Sequence, residues 1–348
     1  MVEIWFAIAV VMIGGYVVLD GFDFGAGALH LFVARNDTER RQVLAAIGPY
    51  WDGNEVWLLA SGGVLFLAFP KVLASGLSGF YFAIFLVLWA LILRGIAIEF
   101  RSHVEAPLWR AAWDAVFGVV SLALPLLFGA ALGNLVRGVP LSSDGWFTLA
   151  LFTDFSARPP VGILDWYTIA AGAFAVVAIV AHGATFLVWK TDAAVQARSR
   201  RAAITLYAMV AILWPLLTLA TWFVNRPMLT AAVSRPLSLL ALLVAVAGLA
   251  AVAAGLRRHR ELMSFAGSAA FILGILAATA ASIFPVMLRA IPDEALSLTA
   301  YNASAGPGSL RAGMWWWPAG FALALVYLAT LFALHRGKAA AARQGEGY

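Results

Sequence analysis

The chain has 348 residues, of which 63% are hydrophobic and only 12% are charged, with a formal net charge of +5. These polar residues are too few to cover the surface of a soluble protein of this size. A lipid bilayer is therefore the expected solvent. The chain has no cysteine, which excludes disulfides, thiolate metal sites and cysteine nucleophiles. Its basic residues lie in short clusters between apolar runs, which membrane topology explains better than nucleic-acid binding.

Apolar runs that are long enough to cross a bilayer recur along the whole chain, since a spanning helix needs roughly 20 mostly apolar residues. The first run continues well past the length of a cleavable signal, so it is predicted to be a span. The sequence therefore predicts an all-α integral membrane protein, one membrane domain over 1–348, with about nine transmembrane helices. The predicted spans lie near 4–33, 43–69, 78–99, 113–136, 163–189, 202–224, 236–256, 262–288 and 313–335.

Lysine and arginine fall unevenly on the two sides of these spans, which predicts the orientation. With Arg94 included, the side that holds the loops after odd-numbered spans carries 16 of the 23 basic residues, and the other side carries 7. The N-terminus is therefore predicted to lie outside and the C-terminus in the cytoplasm. The longest connections, near 137–162 and 289–312, both fall on the outer side, and neither is predicted to be a domain.

Ionisable residues inside spans are costly and usually face the bundle interior, so they are the first candidates for function. Asp20, Asp23 and His30 share one stripe of the first span, and Asp52 and Glu55 are three residues apart in the second. Counting inward from the connecting loop places Asp23 and Asp52 at matching depths of roughly 14 to 16 Å. Two such carboxyl groups would repel if both were ionised, so at least one is expected to hold a proton, as a proton relay requires.

A structural role for these acids is the alternative, in which they are hydrogen-bonded between helices or paired with Arg94 near the end of the third span. Glu99 and His103 follow that span. They could collect protons at a channel mouth, or they could be the solvated end of a helix.

His182 in the fifth span is the one deep candidate for a haem ligand. A six-coordinate haem needs a second ligand, and only a favourable packing of the helices would supply one. We therefore predict no haem and no metal ion in this chain. The candidates for that second ligand are His30, Met209 and Met263.

Three segments near the N-terminus carry a family resemblance: Asp20–Gly27 (DGFDFGAG), Arg35–Arg41 (RNDTERR) and Trp51–Leu58 (WDGNEVWL). Later pairs, among them Phe69-Pro70 and Phe284-Pro285, follow in family-like order, so the resemblance covers nearly the whole chain. On these residues the sequence resembles subunit II of the cytochrome bd-type quinol oxidases of bacterial respiratory chains.

The resemblance implies two four-helix units, here 1–136 and 163–288, plus one additional helix at 313–335. It implies a location in the bacterial cytoplasmic (inner) membrane and a partner, subunit I, that carries haem b, haem d-type groups and the quinol site. This chain would then be a scaffold that is not itself catalytic. The resemblance leaves open whether a small third subunit joins and whether a quinone or lipid lodges among the helices.

The resemblance also implies a proton route toward the oxygen-reducing haem. The family's acidic residues for this route fall here on Asp23 and Asp52, and Trp57 and Glu99 occupy family positions along it. His103 stands at the channel entry, where relatives often have lysine, so entry could depend on pH. The alternative function, from a different class, is an independent proton-coupled secondary transporter whose midplane acids serve a substrate.

Overall fold

The computed structural model describes residues 1–340, and most of this part of the chain is helical. Its α-helices are α1 (Val2–Val33), α2 (Asp37–Ile47), α3 (Trp51–Ala68), α4 (Pro70–Gly79), α5 (Tyr81–Phe100), α6 (Pro107–Arg137), α7 (Trp166–Lys190), α8 (Ala193–Val224), α9 (Arg226–Ser234), α10 (Pro236–Arg257), α11 (Glu261–Ile283) and α12 (Pro307–Leu334).

Eight helices within the described residues are long and apolar enough to span a membrane: α1, α5, α6, α7, α8, α10, α11 and α12. α3 has 18 residues and carries Asp52 and Glu55. Together with α2 it occupies the place of the second predicted span. The predicted all-α membrane fold is confirmed, and the count of about nine spans agrees with these helices.

The second predicted span, near 43–69, is wrong in one respect, because two helices replace one. The chain turns between α2 and α3 at Pro49, whose missing amide hydrogen breaks the helical hydrogen bonding. α2 begins well before the apolar run, where the Asn36 side chain accepts a hydrogen bond from the Glu39 backbone N–H at 3.0 Å.

The eighth predicted span, near 262–288, is too long at its end. α11 stops before Pro285, and the apolar residues that follow form a strand, β1 (Val286–Leu288). β1 pairs antiparallel with β2 (Leu298–Thr299), and a short 3-10 helix (Glu294–Leu296) lies between them. A short apolar run has the same composition in a helix and in a buried strand, so hydropathy could not separate them.

The two longest connections, which were predicted to lie on the outer side, meet each other. The Val139 N–H donates to the Arg289 carbonyl at 2.9 Å, and the Ile291 N–H donates to the Val139 carbonyl at 3.0 Å. These bonds join the connections into one cap over the helix ends. Its buried side chains pack with Phe80, which lies between α4 and α5, and include Leu141, Phe147, Leu288 and Leu298.

α1 lies at the centre of the bundle and packs against α3, α6, α7 and α11. It crosses α7 at two glycines: a Cβ built on Gly25 would lie 2.7 Å from the Gly183 Cα, so only glycine allows this approach. α12 packs on α3. The division into four-helix units at 1–136 and 163–288, with an additional helix at 313–335, remains a prediction, since α1 contacts helices from both halves.

Candidate functional site

Arg94 is the centre of a buried charged cluster, which we define as Asp20, Asp23, Asn54, Glu55 and Arg94. Arg94 is fully buried, and its guanidinium donates to the Asp20 carboxylate and to Glu55 Oε2, the latter at 3.1 Å. A guanidinium inside a membrane is tolerated only when it is paired, so these bonds fix α5 to α1 and α3.

The position of Arg94 corrects the count of basic residues used for the orientation. Arg94 was counted among the charges of the odd-numbered loops, but it is buried between helices and is not a surface charge. Without Arg94 the split is 15 against 7, so the predicted orientation keeps its basis.

Asp23 is fully buried and has one bonded and one free oxygen. The Asn54 amide donates to Asp23 Oδ2 at 2.8 Å and to the Leu19 carbonyl at 3.2 Å. Asp23 Oδ1 has no hydrogen-bond partner among residues 1–340. Three carboxyl groups share one guanidinium, so full ionisation would leave two uncompensated negative charges. The cluster is therefore suited to binding and releasing a proton.

Asp52 does not face Asp23, although Asn54, two residues further along α3, contacts it. Asp52 is exposed in the first turn of α3, on a stripe shared with the exposed residues Val56 and Leu59. Asn54, rather than Asp52, contacts Asp23, because side chains two positions apart on a helix point in nearly opposite directions. The role of Asp52 in a proton route remains a prediction.

The other residues of the predicted route are divided between the interior and the surface. Trp57 is buried in α3, and its ring packs edge-on against Phe321 of α12 with centroids 6.1 Å apart. Glu99 and His103 are exposed at the end of α5, where His103 Nδ1 lies 2.8 Å from the Glu99 carbonyl oxygen. Glu99 and His103 therefore lie at the exposed C-terminal end of α5, away from the buried charged cluster.

A second charged network, centred on Asp114, was not predicted from the sequence. Asp114 is buried and accepts hydrogen bonds from Arg101 and from Arg40, the latter at 2.8 Å. His30 Nε2 lies 2.9 Å from Asp114 Oδ1, and Arg101 also donates to Asp37 at 2.9 Å. Burial lowers the pKa of Arg101, but its bonds to these two carboxylates raise it above the ordinary value. Asp114 is an ionisable residue inside an apolar run, and this feature of the sequence could have identified it as a candidate.

His182 has both ring nitrogens occupied, so it does not fit a haem ligand. Its Nε2 lies 2.9 Å from the Val18 carbonyl oxygen and must donate to it, because a carbonyl only accepts. Its Nδ1 lies 2.6 Å from Ser268 Oγ, which also accepts from the Tyr207 hydroxyl. Within residues 1–340 no group of histidines, aspartates and glutamates could hold a metal ion.

A large apolar cavity of about 480 Å³ lies among α1, α6, α7, α8, α10 and α11. Its walls are almost entirely aliphatic and aromatic, so a hydrocarbon chain fits it better than a polar substrate. The lining residues include Phe24, Phe128, Phe174, Trp214 and Ile272.

The fold and the two charged networks define the chain as a multi-pass membrane protein that holds ionisable groups inside its helical bundle. The family model described as "Cytochrome bd terminal oxidase subunit II" matches residues 1–335. The chain belongs to this family, as its sequence resemblance predicted.

Curated relatives and a solved structure agree with this assignment. The chain is 33% identical to "Cytochrome bd ubiquinol oxidase subunit 2" of Bacillus subtilis (strain 168) over 309 residues, 89% of this chain and 88% of the relative. It is 41% identical to "Cytochrome bd-I ubiquinol oxidase subunit 2" of Escherichia coli (strain K12) over 201 residues, which are 58% of this chain and 52%, about half, of that relative.

The solved structure of bd oxidase from Geobacillus thermodenitrificans has the same fold. The two chains superpose with a TM-score of 0.72 at 17% sequence identity, over 96% of this chain and 98% of that one. With the apolar helices and the bacterial relatives, this similarity indicates a multi-pass protein of a bacterial cytoplasmic membrane.

Proposed function

We propose that this chain is the second, non-catalytic subunit of a quinol:oxygen oxidoreductase, which binds a haem-bearing subunit I and conducts protons from the cytoplasm. Its relatives are named as subunits of ubiquinol oxidases, which supports the proposal that this chain is part of such a complex. The buried charged cluster is the observation that carries the proton role, because acids outnumber bases in a site shielded from water. The haems, of b and d type, would belong to the partner.

The exposed stripe of α3 is the proposed contact with the partner subunit. Asp52 lies on this stripe, and a carboxylate facing lipid near the middle of a bilayer is unfavourable by roughly 2.5–3.5 kcal/mol. Nothing lies within 4 Å of a Cβ built on Gly62 or Gly63, so a partner helix can approach there closely. A protein partner would cover Asp52 and remove it from lipid.

Glu55 connects the buried charged cluster with this stripe. Its carboxylate binds Arg94, yet its side chain is 28% exposed at the edge of the partner face. A proton held between Asp20 and Asp23 would thus reach the partner through Glu55. Trp57, five residues after Asp52 in α3, cannot titrate and would narrow the path rather than carry protons.

The apolar cavity supports a bound quinone or lipid as a structural component. Its mostly apolar lining fits an isoprenoid or acyl chain. Purification of the intact complex with lipid and pigment extraction tests this proposal, and also whether a small third subunit joins. Membership of an oxidase-subunit family disfavours the independent transporter.

The proton role is tested by replacing acids with amides in the assembled complex. Asp23→Asn preserves shape and hydrogen bonding but removes the titratable group, so oxygen consumption per haem should fall roughly 100-fold. Asp52→Asn should also reduce turnover while the complex still assembles, and Asp154→Asn in an exposed outer connection is the control. Near-normal turnover of Asp23→Asn between about pH 6 and 8 would refute proton conduction through the buried charged cluster. Near-normal turnover of Asp52→Asn over the same range would show that Asp52 is not part of the route.

The proposed orientation has a separate test. A reporter enzyme active only outside the cytoplasm, fused after Tyr348, should be silent, although Tyr348 itself lies outside the described residues. Strong reporter activity at this position would contradict the nine-span topology with a cytoplasmic C-terminus.

A further inference from the structure

One face of α1 carries a row of buried polar side chains with unbonded atoms. Tyr16, Asp20, Asp23 and His30 follow at spacings of four, three and seven residues, which places them on one side of the helix. Each is at most 3% exposed. Within residues 1–340, no group bonds Asp23 Oδ1 or His30 Nδ1. Buried polar atoms normally bond to protein or to ordered water, so this row indicates internal water.

Ser121 of α6 fills the one gap in this row. It is fully buried and its hydroxyl has no partner among the described residues. A Cβ built on Gly27 would overlap Ser121 Oγ, so the hydroxyl lies against α1 at the level of Gly27. Gly27 lies about 4.5 Å along the helix from His30 and about 6 Å from Asp23. Each of these distances is one that one or two hydrogen-bonded waters can bridge.

His30 connects the row with the Asp114 network. The ring packs against Phe117, with centroids 5.4 Å apart, and its Nε2 lies 2.9 Å from Asp114 Oδ1. The charged groups facing it are those of Asp114, Arg101 and Arg40. The Arg40 side chain is 28% exposed, so this network reaches the surface of the chain. The two ring nitrogens of His30 therefore face different sides, one toward the surface network and one toward the interior.

We propose that protons enter the buried charged cluster along ordered waters between α1 and α6, from His30 past Ser121 to Asp23. His30 receives a proton on the side of Asp114 and releases one from Nδ1 to water at Ser121. That water passes a proton to Asp23 Oδ1. Only protons move, and no other bond forms or breaks. This inference rests on the proposed function of the chain, and it names an entry that does not pass through Asp52.

Ser121→Ala in the intact oxidase complex is the sharpest test. The hydroxyl bonds to no described residue, so a merely structural Ser121 predicts unchanged assembly and turnover. A water path predicts that proton uptake and oxygen consumption fall about tenfold while assembly is unchanged. Ser238→Ala in α10 is the matched control, because Ser238 is equally buried but bonds to Ser282 at 2.9 Å, away from this row. Ser121→Thr should restore uptake because it keeps the hydroxyl.

A second variant and a direct observation keep the proposal testable. His30→Gln retains a hydrogen-bonding group near Asp114 but cannot relay a proton, so uptake should fall with the haem content unchanged. A high-resolution structure of the complex should show ordered waters at Ser121 Oγ, His30 Nδ1 and Asp23 Oδ1. Normal uptake in both variants, or dry packing at these atoms, would overturn this entry. If Asp23→Asn then still reduces turnover, the proposed function survives; if Asp23→Asn is also normal, the proposed function itself fails.

Discussion

Two buried polar clusters, one in each half of the molecule, differ in how completely their atoms are bonded. In the first half, Asp20, Asp23 and Arg94 leave charges unbalanced and several atoms unbonded. In the second half, His182 and Ser268 belong to a neutral network in which both ring nitrogens are bonded. A network with every position filled holds helices together but has no place for an additional proton. The charged cluster of the first half is therefore the one that could accept an additional proton in the proposed route.

Removal of Arg94 should produce the largest effect, because it leaves buried carboxylates without their counter-ion. We expect Arg94→Met to destabilise the chain by about 3–5 kcal/mol and to reduce assembly of the complex. Thermal unfolding in detergent and the yield of assembled complex measure the loss. The double variant Arg94→Met with Asp20→Asn should recover much of the stability, since it removes one of the stranded charges. Normal assembly of Arg94→Met alone would show that the ion pairs of Arg94 are not needed to stabilise the first half.

His182→Ala tests the closed network of the second half and should have an intermediate effect. The variant removes the acceptor of the Ser268 hydroxyl proton and the N–H donor to the Val18 carbonyl, so stability should fall by about 1–3 kcal/mol. The haem spectrum of the complex should not change, because both nitrogens of His182 are already bonded. His182→Gln should be milder, since an amide can donate and accept. Loss of one b-type signal from an assembled complex would overturn the purely structural role.

The ion pair between Glu39 of α2 and Arg198 of α8 joins the two halves at their surface and should have the smallest effect. The bond from Arg198, and a second one from the Arg35 backbone N–H, lower the pKa of Glu39 below its ordinary value. The stability from this pair is therefore complete at neutral pH and is lost as the pH falls through the lowered pKa.

Glu39→Gln should reduce stability at pH 7 by less than about 1 kcal/mol, because water screens a surface pair. The difference from wild type should disappear in acid. Unfolding followed at pH 7 and at about pH 3 measures both values. A difference that stays constant with pH would show that the carboxylate charge of Glu39 contributes nothing.

Hydropathy predicted the spans because bilayer thickness fixes how long an apolar helix must be. It did not predict the break at Pro49 or the strand after Pro285, where backbone geometry rather than polarity decides the structure. The stripe of Asp20 and Asp23 followed from helical periodicity alone. The outward direction of the Asp52 side chain did not follow from periodicity, because the turn between α2 and α3 determines which face of α3 points inward.

The partners of Asp20 and Asp23 illustrate the same limit. Asn54 and Arg94 come from different helices, so only the packing of α3 and α5 against α1 brings them to the acids. Sequence spacing describes one helix at a time. It therefore identified the buried acids of α1 but not the complete set of their neighbours.

The crossing of α1 and α7 at Gly25 and Gly183 limits how this protein can move. Because the two backbones are in direct contact, there is no free space for one helix to slide or rotate against the other. The acids of α1 therefore keep their distance from α7. In the proposed route, protons would move along α1 by side-chain rotation and water reorientation, which take picoseconds to nanoseconds, without helix motions that take microseconds or longer.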